Sequence, residues 1–186
     1  MAQSSFKKLS RPEKCWVLFH PVKAKKALKI AREVLLVVDS IKQNGLIGVD
    51  NTGGNLDAFK HTYWMASLTL KIGRKQTLSL GKAHEKGNYL QYKKHALEDA
   101  ILPDSISSVM DLRNNAFGVS LVNKNEIISK ADVQKKVLDA LADGKLTIIK
   151  KDEKGNFLTC DGAVISINEW KGKWNIPKCT IASFSH

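Results

Sequence analysis

The stretch Asn55–Ile72, NLDAFKHTYWMASLTLKI, decides the fold of this chain. Leu56, Phe59, Tyr63, Ala66 and Leu70 recur every three or four positions and make one core face. Asp57, His61, Trp64 and Leu68 make a second face, polar at its N-terminal end and apolar further along. Only Lys60, Ser67 and Lys71 call for water, so the spacing predicts a helix at the centre of a helical body. Asn55 follows the Gly- and Asn-dense loop QNGLIGVDNTGGN and is read as the N-cap. Asp57 and His61, four residues apart, point the same way; alone they read as a satisfied core pair, and in company as part of a site.

Working outward, VKAKKALKIAREVLLVVDSIK predicts an amphipathic helix over about 22–42, with Ala27, Ile30, Val34, Val37 and Ile41 on its apolar stripe. Residues 1–21 read as a basic, irregular lead-in closed by Pro21. C-terminal to the central stretch, a short helix is expected from Arg74 to about Lys86, stopped by Gly87-Asn88, and another from Tyr89 to about Leu102. After Pro103 a short segment leads to Asp111, read as the cap of a helix LRNNAFGVSLV. SKADVQKKVLDALADG is a further amphipathic helix, with Ala131, Val133, Val137, Leu138 and Leu141 inward and Gly144 at its stop.

Beyond Gly144 the period shortens towards strands, with turns at Glu153–Asn156, Asp161-Gly162 and Lys171–Lys173. The expected fold is therefore mainly α, of the α+β class. It comprises the lead-in 1–21, a helical body 22–143 carrying a polar site, and a small antiparallel β element at 144–186 packed on the body.

Composition narrows the function classes. Thirty Lys+Arg against 18 Asp+Glu give a net charge of +12, concentrated in residues 1–100, which hold 18 basic and 8 acidic side chains. Such a field favours an acidic protein, nucleic acid or an anionic membrane as partner. The N-terminus lacks the long apolar run of a cleavable signal, and EVLLVVDSI is too short to span a bilayer, so no transmembrane segment is expected. Cys15, Cys160 and Cys179 fit no zinc ribbon; Cys160 and Cys179 are read either as a pair across a C-terminal hairpin or as free buried thiols. HExxH, CxxC, GxSxG and P-loop patterns are all missing, which removes the common metalloprotease, serine-hydrolase and nucleotide-phosphate readings.

Three polar clusters interrupt the core-like sequence: Asn55/Asp57/His61 with Trp64, then His84-Glu85, then Asp111 with Asn114-Asn115. Imidazole, carboxylate and carboxamide groups together suit general acid–base chemistry or a divalent metal ion. His61, His84, Glu85 and Asp111 are the candidate catalytic residues, with Asp57 orienting His61. Asn55, Asp57, Trp64, Asn114 and Asn115 are the candidate substrate-binding residues, and His84, Glu85 and Asp111 the candidate ligands of one divalent metal ion. His95 reads as a surface residue, and His20 and His186 carry no signal.

The order NLDAFKHTYW, AHE, MDLRNNAFG resembles a poorly characterised bacterial domain family marked by an Asn and a His-x-x-Trp on one helix, an Ala-His-Glu, and a Met-Asp-Leu-x-Asn-Asn-x-x-Gly. The resemblance runs from about Asp50 to Gly118 and carries over Asn55, His61, Trp64, His84, Glu85, Asp111, Asn114, Asn115 and Gly118. Arg113 stands where many members have His, and Val119 where Arg is frequent. The resemblance implies a secreted effector or toxin-like domain, a candidate hydrolase of ester or phosphoester bonds. The expected localisation is synthesis in a bacterial cytoplasm and export without a cleavable signal, by an apparatus such as a type VI secretion system. A protein of that apparatus, an immunity protein or a host target would be the acidic partner. The alternative is a non-catalytic effector that binds an acidic protein, nucleic acid or anionic membrane through its basic face.

Overall fold

The computed structural model describes residues 6–95 and 102–183. Its elements run α1 (Arg11–Phe19), α2 (Pro21–Gln43), α3 (Asn55–Ile72), α4 (Arg74–His95), α5 (Ser105–Ser120), α6 (Lys130–Ala142), β1 (Thr147–Ile149), α7 (Ile167–Trp170) and β2 (Thr180–Ala182). The molecule is mainly helical, with a two-stranded antiparallel sheet near the C-terminus, as the sequence predicts.

Helix α3 is the axis. Thirteen of its 18 residues are buried, including Leu56, Phe59, Met65, Leu68 and the polar Asp57 and His61, so it is covered nearly all round. It is packed by α2, α4, α5 and α6. The cap differs from the expected one: Gly54 is the N-cap, and Asn55 is already the first helical residue. On α2 the buried stripe is Ala27, Ile30, Val34, Val38 and Ile41, one residue off the expected Val37, which is only partly buried. On α6 the inward residues are Val133, Val137, Ala140 and Leu141, whereas Ala131 is exposed.

Three sequence expectations are corrected by local chemistry. The lead-in is helical from Arg11, because Ser10 and Glu13 form a capping box: each side chain bonds the other's backbone N–H. Trp16 is buried and its indole N–H donates to Ser79 Oγ at 2.7 Å, tying α1 to α4. Secondly, α4 runs through Gly87-Asn88 without a stop up to His95, and the remainder of the expected 89–102 helix lies mostly outside the described residues. Gly87 is there for space, since a Cβ would meet Ser10 Oγ. Thirdly, Asp111 caps nothing: Asp104 is the N-cap of α5, accepting from Ile106 N at 2.9 Å and Ser107 N at 3.0 Å, and Asp111 lies two turns inside.

Helices α3 and α5 cross in close approach. A Cβ on Gly118 would lie 2.3 Å from the Thr62 carbonyl oxygen, so only glycine allows the two backbones to meet. In the C-terminal element, β1 and β2 pair with Ile148 opposite Ile181, and isolated bridges join Lys151 to Phe157 and Leu158 to Val164. The turns fall where expected, while α7, opened by a Ser166/Glu169 capping box, was not anticipated. Of the two readings of the cysteines the disulfide holds: Cys160 is bonded to Cys179, and Cys15 is free and exposed. Lys178 and Asp104 make a buried ion pair at 2.7 Å that fastens this element to α5. Among the described residues, no helix is long and apolar enough to cross a membrane.

Candidate functional site

The site is built where α3, α4 and α5 converge, with one contribution from α1. Helix α3 presents Asp57, Lys60, His61 and Trp64 on one face, because residues three and four apart stack along a helix. Helix α4 contributes His84 and Glu85, and α5 contributes Asp111 and Asn115 one turn apart.

His61 sits at the centre and is 5% exposed. Its Nδ1 lies 3.3 Å from Asn115 Oδ1, an atom that can only accept, so Nδ1 carries the proton and Nε2 is left with its lone pair. That lone pair faces Asp111 Oδ1 at 3.4 Å and Asp57 Oδ1 at 3.7 Å. Asp57 is itself held by Gly53 N–H at 2.9 Å and by the Lys60 ammonium. It is therefore Asn115 that orients the His61 ring, while Asp57 and Asp111 flank the open nitrogen.

The electrostatics follow from burial. Desolvation above all lowers His61 to a pKa of about 4, so the imidazole is neutral at ordinary pH. Burial, with the charges of Asp57 and Glu85, raises Asp111 to about 9 and keeps it protonated. Burial also raises Glu85. His84 goes the other way: burial opposes its charge, but the bond from Nδ1 to Glu13 Oε1, 2.9 Å long, and the nearby Glu85 outweigh it and raise the pKa. The two rings, one favoured neutral and the other favoured protonated, stand with centroids 6.3 Å apart, and Trp64 packs edge-on to His84 at 5.6 Å.

A cleft of about 290 Å³ opens onto this centre, lined by Lys60, His61, Trp64 and His84 on one side and by Ala31, Val34 and Leu35 of α2 on the other. A larger hollow of about 950 Å³, by Lys71 and Asn125, touches none of these residues.

Among the described residues, three buried polar atoms of the site have no hydrogen-bond partner: Asp111 Oδ1, Asn115 Nδ2 and Trp64 Nε1. Buried polar groups are ordinarily satisfied, so these atoms stand out from the rest of the core.

Of the residues singled out from sequence, His61, His84, Glu85, Asp111, Asp57, Trp64 and Asn115 are brought together. Asn114 is not: its carboxamide donates to Thr147 O at 2.8 Å and accepts from Thr147 N at 2.9 Å, so it fastens β1 to α5. Asn55 is buried at the start of α3, about 9 Å along the axis from His61 at the usual rise per residue. The expected metal trio His84, Glu85 and Asp111 is not the one that converges. Among the described residues, Asp57, His61 and Asp111 do, with ligand atoms all within 4.8 Å of one another. Sequence reasoning missed Glu13 and Lys60. The Ser-x-x-Glu pattern announces Glu13 as a capping residue, but only the docking of α1 on α4 shows that its second oxygen holds His84.

Fold and site together define a mainly helical α+β protein with a buried histidine–carboxylate centre beneath a small cleft. The chain belongs to the family described as a domain of unknown function (DUF6973), whose model matches residues 14–145. The matched stretch holds every member of the site except Glu13. No curated protein and no solved structure matches the chain.

Proposed function

We propose that the chain is a hydrolase of ester or phosphoester bonds, deployed as an exported, toxin-like bacterial effector. One observation carries the chemistry: a neutral His61, held by Asn115, turns its free Nε2 to Asp57 and Asp111 and itself lines a cleft with Lys60 and His84. In this reading water is activated on the Nε2 side of His61, between the two carboxyl groups. His84, whose protonated form the bond to Glu13 favours, stabilises the negative charge that develops on the substrate and gives the leaving group its proton. Lys60 and His84 favour an anionic substrate, and Trp64 offers it an apolar wall. Export is supported by the Cys160–Cys179 disulfide, a bond that persists in oxidising compartments.

The test is a panel of chromogenic carboxylic esters, phosphomonoesters and phosphodiesters, with His61→Ala beside the wild type. The expected result is turnover of one class and a loss of about 10²–10⁴-fold in the variant, the size of a general acid–base contribution, with its helical circular dichroism retained. No turnover across the panel, or a fully active His61→Ala, would remove the reading.

A second reading rests on α2, whose Lys25, Lys26 and Lys29 are exposed on the face away from the core. Here the basic first half binds an acidic protein, nucleic acid or anionic membrane without catalysis. Its signature for a nucleic acid is an affinity that falls steeply and log-linearly with salt.

A further inference from the structure

The charge inventory of the site is one-sided. Asp57, Glu85 and Asp111 are 8, 6 and 7% exposed, and among the described residues the Lys or Arg side chain bonded directly to any of them is Lys60, which holds Asp57. Placing carboxyl groups this close in a low-dielectric interior is costly unless a positive charge lies among them. In the bare chain protons supply the relief. The arrangement of donor atoms offers a more specific one.

His61 has the geometry of a metal-bound imidazole: one ring N–H fixed by a neighbouring carboxamide oxygen, the other nitrogen unprotonated and facing two carboxylate oxygens. Metal–ligand bonds of about 2.0–2.2 Å at tetrahedral angles place neighbouring donors about 3.4 Å apart. The observed 3.4 and 3.7 Å from Nε2 to Asp111 Oδ1 and Asp57 Oδ1 are near that size and too long for good hydrogen bonds, while all three donors lie within 4.8 Å of one another, so the two carboxylate oxygens would draw together around an ion. Among the described residues, the unpartnered, buried Asp111 Oδ1 is one of the proposed donors, and the equally unpartnered Asn115 Nδ2 belongs to the residue that holds His61. We propose that Asp57, His61 and Asp111 bind one divalent cation of the zinc or manganese class, with Asn115 as the positioning residue for His61 and Glu85 adding negative charge from α4.

Mixed imidazole and carboxylate donors select such ions over calcium and magnesium, which prefer all-oxygen shells. The inference rests on the hydrolase reading only for the ion's use, which would be to activate the water at the same place; binding itself is independent of it.

The experiment titrates the metal-free full chain with Zn²⁺ by calorimetry and with Mn²⁺ by electron paramagnetic resonance, alongside Asp111→Asn and Asn115→Ala. One equivalent should bind the wild type, with affinity at least about tenfold weaker in each variant, the usual cost of disturbing a ligand or its support. Asp111→Asn keeps the side chain's shape and is neutral like the protonated acid it replaces, so it should fold. As a check free of variants, Mn²⁺ should broaden the His61 imidazole NMR signals of the wild type before those of His20. No stoichiometric binding by the wild type, or undiminished binding by Asp111→Asn with His61 signals unaffected, overturns the site. Binding without turnover on any substrate sustains the site and fails the hydrolase reading alone.

Discussion

At the scale of single residues the site separates two histidines by their partners. Glu13 is lowered below its ordinary 4.5: burial opposes, but bonds from His84 and Ser10 dominate. His84 is raised above 6.5. A raised His contributes stability that is complete below its unfolded pKa and is lost as pH rises through the folded one. A lowered Glu contributes above its unfolded pKa and loses this as pH falls through the folded one. The stability lost in Glu13→Gln should therefore be largest between about pH 4.5 and 6.5 and shrink on either side. With His84 35% exposed, screening holds the effect to about 1 kcal/mol or less, measurable by urea unfolding at several pH values. The same variant should bring the His84 pKa down towards its ordinary value in an NMR titration. The residue types of this site were legible in the sequence, because His, Asp and Asn inside apolar runs are costly unless used. Their partners were not: the four-residue spacing suggested Asp57 for His61, whereas Asn115, 54 positions away, makes the bond.

At the scale of elements, one crossing holds the donor groups in register. Gly118 on α5 meets the Thr62 carbonyl on α3, and an added Cβ would strike backbone at 2.3 Å, which cannot turn aside as a side chain can. Gly118→Ala should cost about 2–3 kcal/mol, the upper range for overpacking a tight contact, read as a lower urea midpoint. By prising α5 from α3 it should also move Asp111 and Asn115 off His61. Gly87 is a second tight approach, where an added Cβ would meet both Oγ and Cβ of Ser10, whose hydroxyl is committed to the cap of α1. Amphipathic periodicity revealed α2, α3 and α6. It did not reveal that α4 passes through Gly87-Asn88, since those residues stop a helix only where nothing packs against them.

At the scale of the whole molecule, the C-terminal element is a clasp on the helical body. Asn114 grips Thr147, Gly53 O accepts from Ile149 N–H at 2.7 Å, and Lys178 pairs with Asp104. The disulfide closes a loop with a sequence separation of 19 that carries α7. Loops of that size are stabilised by about 3 kcal/mol when cross-linked. Replacing both Cys160 and Cys179 by Ala should lower protection from hydrogen exchange at Lys150 and Cys179-region amides by that order, and leave Met65 and Ala66 in α3 protected. Equal loss in both places would show that the clasp and the body unfold as one unit.

What the sequence determined by itself was the helical class, the central position of α3, the polar clusters and the turns of the β element. Each is written in local spacing, in the alternation of apolar and polar side chains or in Gly and Asn at turns, and local physics reads it directly. Only the tertiary structure decided that Glu13 serves His84, that Asn114 holds a strand, and that Asp57, His61 and Asp111 converge. Those facts depend on how α1, α4, α5 and β1 dock around α3, and docking is set by side-chain packing between segments far apart in the chain, which no local pattern records.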